Sequence, residues 1–353
     1  MRPRQHGLLL AMPSKGTLHE RAVEFLQRCG LELRRSGNGR EYAARLSGAE
    51  NVSVLFFRPE EIPARVEQGD AHVGITGEDL YREFGDGPPL SHLLIRQLGF
   101  GSARLVVAVP QSWIDVTSID EMEEVVFIHR QKSGRSLRVA TKFPRLARAF
   151  FAENGITDYQ IVESIGATEG TPSAGLADLI VDLTSTGTTL AQNHLKEIAG
   201  GTVLQSQACL IASLRPHFWT QEALVSADQV VDQIEARIRA ASAALVRFDL
   251  PLEQIDAVRE ALVAHHQCSV RPIGLNTATD PAARLFRSVE MTVFCPRDRI
   301  HPVVTLLRTA GCSAIAVSNC EFLFDASSRT GEAFRQVLKR HDALARAGRT
   351  ADR

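Results

Sequence analysis

Short apolar runs alternate along the first half of the chain with stretches in which apolar residues recur every three or four positions. Leu8–Met12 reads as a buried strand, and Leu18 to Cys29 puts Leu18, Ala22, Phe25 and Leu26 on one helical face. Thr17 reads as the N-cap of that helix and Gly30 as the glycine that ends it. The pattern repeats as a strand over Val52–Phe57, a helix over Ile62–Gln68 and a strand over Val73–Thr76, which is the grammar of an α/β lobe. Gly85 to Pro89 breaks it as a loop.

A second α/β lobe follows, with strands at Arg104–Val109, Leu137–Thr141, Tyr159–Glu163 and Ala177–Asp182 and a helix from Leu146 to Asn154. A helix is expected over Thr188–Glu197, and Thr202–Ser213 reads as one long strand returning to the first lobe. A chain that leaves a lobe and returns makes a hinged cleft, where both walls contact a ligand and closure excludes water. From Ser226, with Gln229 as a capping-box partner, a helix carries Val230, Ile234, Ile238, Ala241 and Leu245 on one face. A βαββαβ order comes next: strand Leu245–Leu250, helix Leu252–His265, strands Ser269–Leu275 and Ser288–Phe294, helix Ile300–Gly311, strand Ser313–Phe324. The expected domains are therefore a first lobe over 1–103 and 191–225, a second over 104–190, a ferredoxin-like domain over 226–328, and a polar helix with a charged tail over 329–353.

Composition narrows the function classes. Forty Lys and Arg balance 41 Asp and Glu, so no basic face for nucleic acid is indicated. No apolar run approaches the roughly 20 residues of a membrane helix, and Pro13 interrupts the early run before it reaches a signal-peptide core of about 7–15 residues. A cytoplasmic protein is expected. Six cysteines without a CxxC pair read as reduced thiols, mostly in cores, and His265, His266 and Cys268 read as a solvated helix end rather than metal ligands.

The segment with most chemistry runs from Ala177 to Leu190: a buried strand, Asp182, then Thr184-Ser185-Thr186-Gly187-Thr188-Thr189 at a helix start. Unpaired backbone N–H groups and clustered hydroxyls there suit a phosphate monoester, and Asp182 suits ribose hydroxyls or a water-held Mg²⁺. Taken alone, the segment reads equally as a helix cap with a solvated acid.

Strand, acid and T-S-T-G-T-T resemble the phosphoribosyl pyrophosphate loop of phosphoribosyltransferases. Further stretches in order narrow the resemblance to ATP phosphoribosyltransferase: Met12 to Gly16, Arg58 to Pro63, Gly69 to Leu80, Val139 to Pro144, and Gly166 to Asp178 leading into the loop. The ferredoxin-like tail is similar to the regulatory domain of the family's long form. The resemblance implies a two-lobed fold like that of periplasmic binding proteins, plus an ACT-like βαββαβ domain. It also implies a pentosyl transfer that opens histidine biosynthesis: adenine N1 of ATP attacks C1 of phosphoribosyl pyrophosphate, with Mg²⁺ on the departing pyrophosphate.

On that resemblance, Thr184, Ser185, Thr186, Gly187, Thr188 and Thr189 hold the 5′-phosphate, while Glu169 and Asp182 meet the ribose and stabilise developing positive charge. Lys15 and Arg58 meet phosphates, and Gly16, Glu61, Gly77 and Asp79 complete the ATP side, with Glu61 and Asp79 reading equally as helix caps. Thr141 and Lys142 form a hinge or an anion contact. Mg²⁺ is expected on the substrate near Asp182 without direct protein ligation. Implied partners are ATP, phosphoribosyl pyrophosphate, histidine as inhibitor, and further copies of the chain in a dimer or hexamer. One departure stands out: the family usually carries arginine where this chain has Thr17, so either Arg21 or Arg104 compensates or activity is impaired. The competing reading is a catalytically impaired regulatory or ligand-binding paralogue. A transport solute-binding protein shares the architecture but requires export.

Overall fold

The computed structural model describes residues 7–34, 43–85, 90–164, 166–266, 268–270, 288–312 and 314–351. They divide into two compact units, 1–228 with 330–353, and 229–329.

The first unit holds two sheets. Strands β1 (Leu8–Pro13), β4 (Val52–Phe57) and β5 (Val73–Gly77) run parallel with β1 in the middle, and every residue of β1 is buried. That is the continuous apolar run a central parallel strand requires. The sheet extends on one side through β3 (Ala43–Ser47) to β2 (Glu32–Arg34), and on the other through β12 (Ala208–Ser213) to β6 (Ser91–Ile95). Helix α1 (Gly16–Arg28) starts one residue before Thr17, because Lys15 is the extended residue at the N-cap and Thr17 lies in the first turn. Helices α2 (Ile62–Gln68) and α3 (Glu78–Phe84) complete this lobe. Gly30 ends α1 in the left-handed region, as the sequence pattern requires, and Gly69 ends α2 in the same way.

The second sheet runs β11-β7-β10-β8-β9, from Leu195–Ser206, Ala103–Pro110, Leu179–Thr184, Leu137–Thr141 and Tyr159–Glu163. Its core is built from Leu105, Val107, Val139, Leu179 and Val181 against Met122 of α4 (Met122–Ser133) and Phe151 of α5 (Pro144–Glu153). Helix α4 gave no apolar stripe to the sequence reading, since only Met122 and Val126 are buried along it. The helix expected over Thr188–Glu197 is the five-residue α6 (Thr188–Gln192), and the long strand expected over Thr202–Ser213 is two strands in two sheets. β11 belongs to the second sheet, antiparallel to β7, and only β12 returns to the first, so residues 195–206 sit apart from the first-lobe assignment of 191–225. Gln207 is the single residue between them.

The lobes are latched by buried Glu83 of α3, whose carboxylate accepts the N–H groups of Arg145 (2.8 Å) and Leu146 (2.9 Å) at the start of α5. This satisfies two of the N–H donors that a helix start leaves unpaired. Helix α7 (Gln221–Ser242) begins five residues before Ser226. Thr220 Oγ1 accepts the Ala223 N–H, and Ser226 instead donates to the Glu50 carbonyl at 2.8 Å. The last helix, α10 (Arg329–Ala351), has an apolar side: Phe334 and Leu338 are buried, with Phe334 edge-on to Trp219 and stacked near His92. Its residues from 330 belong to the first unit rather than forming a free tail.

The second unit carries the expected βαββαβ order. Strands β13 (Ala243–Pro251), β14 (Ser269–Val270), β15 (Ser288–Pro296) and β16 (Ile315–Asn319) form one sheet ordered β14-β15-β13-β16, all antiparallel. With α8 (Ile255–Ala264) and α9 (Ile300–Thr309), this is the ferredoxin-like arrangement. Val246, Phe248, Leu250 and Val293 pack against Val258, Leu262, Val303 and Leu307 of the two helices. The strand expected over Ser269–Leu275 lies outside the described residues beyond Val270, and the last strand is confined to Ile315–Asn319.

Candidate functional site

The carboxyl ends of parallel strands in an open α/β sheet form the natural crevice for a ligand. In the first lobe, β1 and β4 end in register, Pro13 opposite Phe57, and the Ser14 N–H donates to the Phe57 carbonyl at 2.7 Å. The chain then turns outward on both strands, which places Lys15 and Arg58 as exposed cations beyond neighbouring strand ends. Gly16 has φ +81°, a conformation that disfavours any side chain, so the Lys-Gly pair is fixed by the turn. Glu61 accepts the Arg58 N–H at 3.4 Å, which is the capping geometry.

Gly77 and Asp79 open α3. Asp79 is buried, its N–H donates to Ser206 Oγ (3.0 Å), and Ser206 donates back to Asp79 Oδ1 (2.5 Å). A Cβ on residue 77 would lie 2.4 Å from that same Oδ1, so glycine is needed for the carboxylate to fold back. Burial raises the Asp79 carboxyl above its ordinary value, with the Ser206 hydroxyl opposing. Its neighbour Glu78, also buried, is held by Arg82 (2.7 Å) and Arg96 (3.0 Å).

In the second lobe, β10 delivers Asp182 half-buried at its end, and the Leu183 N–H donates to Asp182 Oδ1 at 2.8 Å. The Asp182 carboxyl is raised above its ordinary value, first by burial and also by the charge of Glu169. The Leu183 N–H, Lys142 and the Thr168 hydroxyl pull the other way. Lys142, Thr168 and Glu169, from two other segments, thus all act on Asp182. Thr141 is turned inward, its Oγ1 accepting the Phe143 N–H at 2.9 Å, so Lys142 is the polar group that the β8 end presents.

The hydroxyl loop is pre-folded. Thr184 Oγ1 accepts the Gly187 N–H (2.9 Å), Thr186 and Thr188 hydroxyls share a hydrogen bond (2.9 Å), and Gly187 has φ +77°. Ser185, Thr186, Thr188 and Thr189 are exposed. With only five helical residues behind it, the loop offers hydroxyls and local N–H groups more than an extended helix dipole. Lys15 with Arg58 forms a separate group on the first lobe.

Of the two cations named in place of an arginine at 17, Arg21 is exposed one helical turn along α1 from Thr17, whereas Arg104 is held by a carboxylate. The Arg104 guanidinium is engaged by Glu197 through two bonds, 2.5 and 3.0 Å. Arg21 faces a cavity of about 330 Å³ between α1 and residues 99–102, floored by the Phe25 and Phe100 rings. A second cavity, also about 330 Å³, lies at the hinge and is lined by Gln97, Arg104, Ser185, Gln205, Ser206 and Gln207 among others. The glutamines and Ser206 are not legible in the sequence, because single polar residues on or beside hinge strands carry no motif.

Residues 58–240 match the HisG family model, described as ATP phosphoribosyltransferase. The chain is 42% identical to an ATP phosphoribosyltransferase of Afipia carboxidovorans over 89% of its length and 93% of that protein's. It is also 42% identical to one of Bradyrhizobium diazoefficiens, over 90% and 94% respectively. Among solved structures, one from Thermotoga maritima, an ATP phosphoribosyl transferase (HisG:HisZ) complex, is 24% identical, with 65% of this chain and 98% of that chain covered and a TM-score of 0.49.

Proposed function

Because the chain belongs to the ATP phosphoribosyltransferase family of histidine biosynthesis, we propose that it transfers the phosphoribosyl group of phosphoribosyl pyrophosphate to N1 of ATP. The observation that carries this reading is the convergence of Glu169, Asp182 and Lys142 beside a pre-folded loop of exposed hydroxyls. Displacement at C1 passes through an oxocarbenium-like state and needs no protein nucleophile. It needs two substrates held in line and charge placed where charge develops. Thr184 to Thr189 hold the 5′-phosphate by hydroxyl and N–H groups. Glu169 and Asp182 take the ribose hydroxyls and face the cationic sugar, and the ionised Asp182, disfavoured in the resting site first by burial and then by the Glu169 charge, becomes favoured as C1 turns positive. Lys15 and Arg58 meet phosphates from the other wall, with Gly16 leaving room for close approach.

Magnesium fits as a passenger of the pyrophosphate. Asp182, raised by burial and by the charge of Glu169, is a carboxylate that a hydrated cation would relieve. When bound, Mg²⁺ neutralises charge on the leaving group. The ferredoxin-like unit supports histidine as a feedback inhibitor bound in a dimer or hexamer of this chain, acting on soluble cytoplasmic substrates. No described helix is long and apolar enough to cross a membrane.

The test is pyrophosphate release on mixing ATP, phosphoribosyl pyrophosphate and Mg²⁺, with and without histidine, and mass detection of the ribosylated nucleotide. Turnover suppressed by histidine is expected. Binding of both substrates without release would overturn the enzyme reading in favour of a regulatory paralogue, and Thr17→Arg would then be the variant to restore turnover.

A further inference from the structure

The hinge cavity has an unusual lining for a site beside a phosphate loop. Gln97, Gln205 and Gln207 come from different segments and Ser185 is part of the hydroxyl loop. Its one cation, Arg104, is neutralised by the two-bonded Glu197. A phosphate placed there would meet no uncompensated positive charge. A neutral ring with donors and acceptors on its edge would find matching carboxamides.

The glutamines are not equivalent. Gln207 is fixed, its Oε1 accepting the Gly99 N–H at 3.0 Å, which leaves its Nε2 hydrogens for the cavity. Gln97 and Gln205 are exposed and engage no described residue through their carboxamides. Gln205 lies opposite Arg104 in the β11–β7 register, so it is held to the second sheet, whereas Gln97 follows β6 of the first.

We propose that this cavity seats the adenine ring of the ATP acceptor, and that the carboxamides of Gln97 and Gln205 read its N6 and N7 edge. The inference rests on the reaction proposed above. Attack requires the N1 lone pair, so the base must be held by an edge that leaves N1 free. A carboxamide donates to N7 and accepts from N6 at once, which is such an edge. As the N1–C1 bond forms and the C1–O bond breaks, its electron pair leaving with pyrophosphate, positive charge spreads from N1 to the 6-amino group. The N6 hydrogens become stronger donors, and a glutamine Oε1 set against them stabilises the transition state more than the ground state.

The experiment compares ATP with 7-deaza-ATP, which keeps N1 and N6 but lacks the N7 acceptor, in the wild type, Gln97→Leu, Gln205→Leu and the double variant. Pyrophosphate release gives kcat/KM, and calorimetric titration with each nucleotide gives affinity independent of turnover. The wild type should favour ATP roughly tenfold, the worth of one hydrogen bond of about 1.4 kcal/mol. The double variant should lose that preference and on the order of 10- to 100-fold in kcat/KM for ATP, with the KM for phosphoribosyl pyrophosphate unchanged. Since both side chains are exposed, urea midpoints should match the wild type. Preference for ATP that survives in the double variant, or a rise in the KM for phosphoribosyl pyrophosphate with ATP unaffected, overturns the assignment. Should the wild type show no turnover, the proposed reaction falls by itself. The titration then decides: ATP affinity weakened by the variants sustains the adenine seat, and unchanged affinity removes it.

Discussion

Asp79 and Ser206, 127 positions apart, close a reciprocal ring in which the Asp79 N–H reaches Ser206 Oγ and the Ser206 hydroxyl returns to Asp79 Oδ1. One residue opens a first-lobe helix and the other ends the second lobe's longest strand, one position before Gln207. The hinge is therefore pinned at this pair. The Asp79 carboxylate that a motif match offers to ATP has one oxygen bound within the fold.

Ser206→Ala leaves a buried carboxylate and a helix-start N–H without their partner. A loss of about 1–3 kcal/mol is expected, the cost of stranding buried polar groups. Urea unfolding at neutral pH measures it, and a change inside about 0.5 kcal/mol, ordinary for a surface substitution, would show that water replaces the serine at no cost.

The Glu169–Asp182 coupling predicts a pH effect with a definite sign. Asp182 is raised by burial and further by the charge of Glu169, so the acid limb of kcat/KM should lie above the ordinary carboxylate range. Glu169→Gln removes the like charge, which lowers the Asp182 pKa and moves the limb to lower pH, while kcat at the plateau falls by about 10²-fold through loss of a charge facing the sugar. An acid limb that stays in place would mean the two carboxylates do not share a site in the working enzyme.

Gly187→Ala tests the loop. A φ of +77° costs an alanine about 1–2 kcal/mol, and the added Cβ would sit 3.4 Å from Glu197 Oε1, the partner of Arg104. The loop should relax out of its Thr184-capped turn, raising the KM for phosphoribosyl pyrophosphate several-fold with little change in the urea midpoint of the whole fold. An unchanged KM would mean that the turn is not needed for phosphate binding.

Much of this was legible because periodicity and loop chemistry are local. The buried runs at Leu8 and Leu179, the strand at Val52, the helix-ending glycine at 30 and the βαββαβ order each follow from local residues. What failed was non-local. Leu195–Ser206 alternates polar and apolar too weakly to announce a strand, and only its pairing with β7 makes it one. Thr188–Glu197 looked helical, but Asn193 and His194 end the helix, with His194 at φ +57°. The last helix reads as polar because, among its described residues, Phe334 and Leu338 are the large apolar side chains that are buried. The motif residues fell where the strand ends placed them, whereas the hinge glutamines and Ser206 acquire meaning only once β11 and β12 separate.

His72 supplies the final prediction. Its ring is buried and stacked on Phe218 at 3.8 Å, Nδ1 accepts the Leu9 N–H (2.9 Å), and Nε2–H donates to the Phe218 carbonyl (3.1 Å), a geometry that requires the neutral tautomer. Burial lowers its pKa to about 4, with the Phe218 carbonyl opposing. Between that value and about 6.5 the unfolded chain binds a proton that the folded chain refuses, so this contribution to stability is complete above pH 6.5 and is lost as pH falls toward 4. The span corresponds to about 3 kcal/mol at most. Urea unfolding at pH 5, 6, 7 and 8 (about one-unit steps across the window) should show stability falling toward acid in the wild type. His72→Phe, less stable at pH 8 by the two lost hydrogen bonds, should show a shallower slope over the same window. Equal slopes would place the acid sensitivity in other groups and leave His72 a packing residue alone.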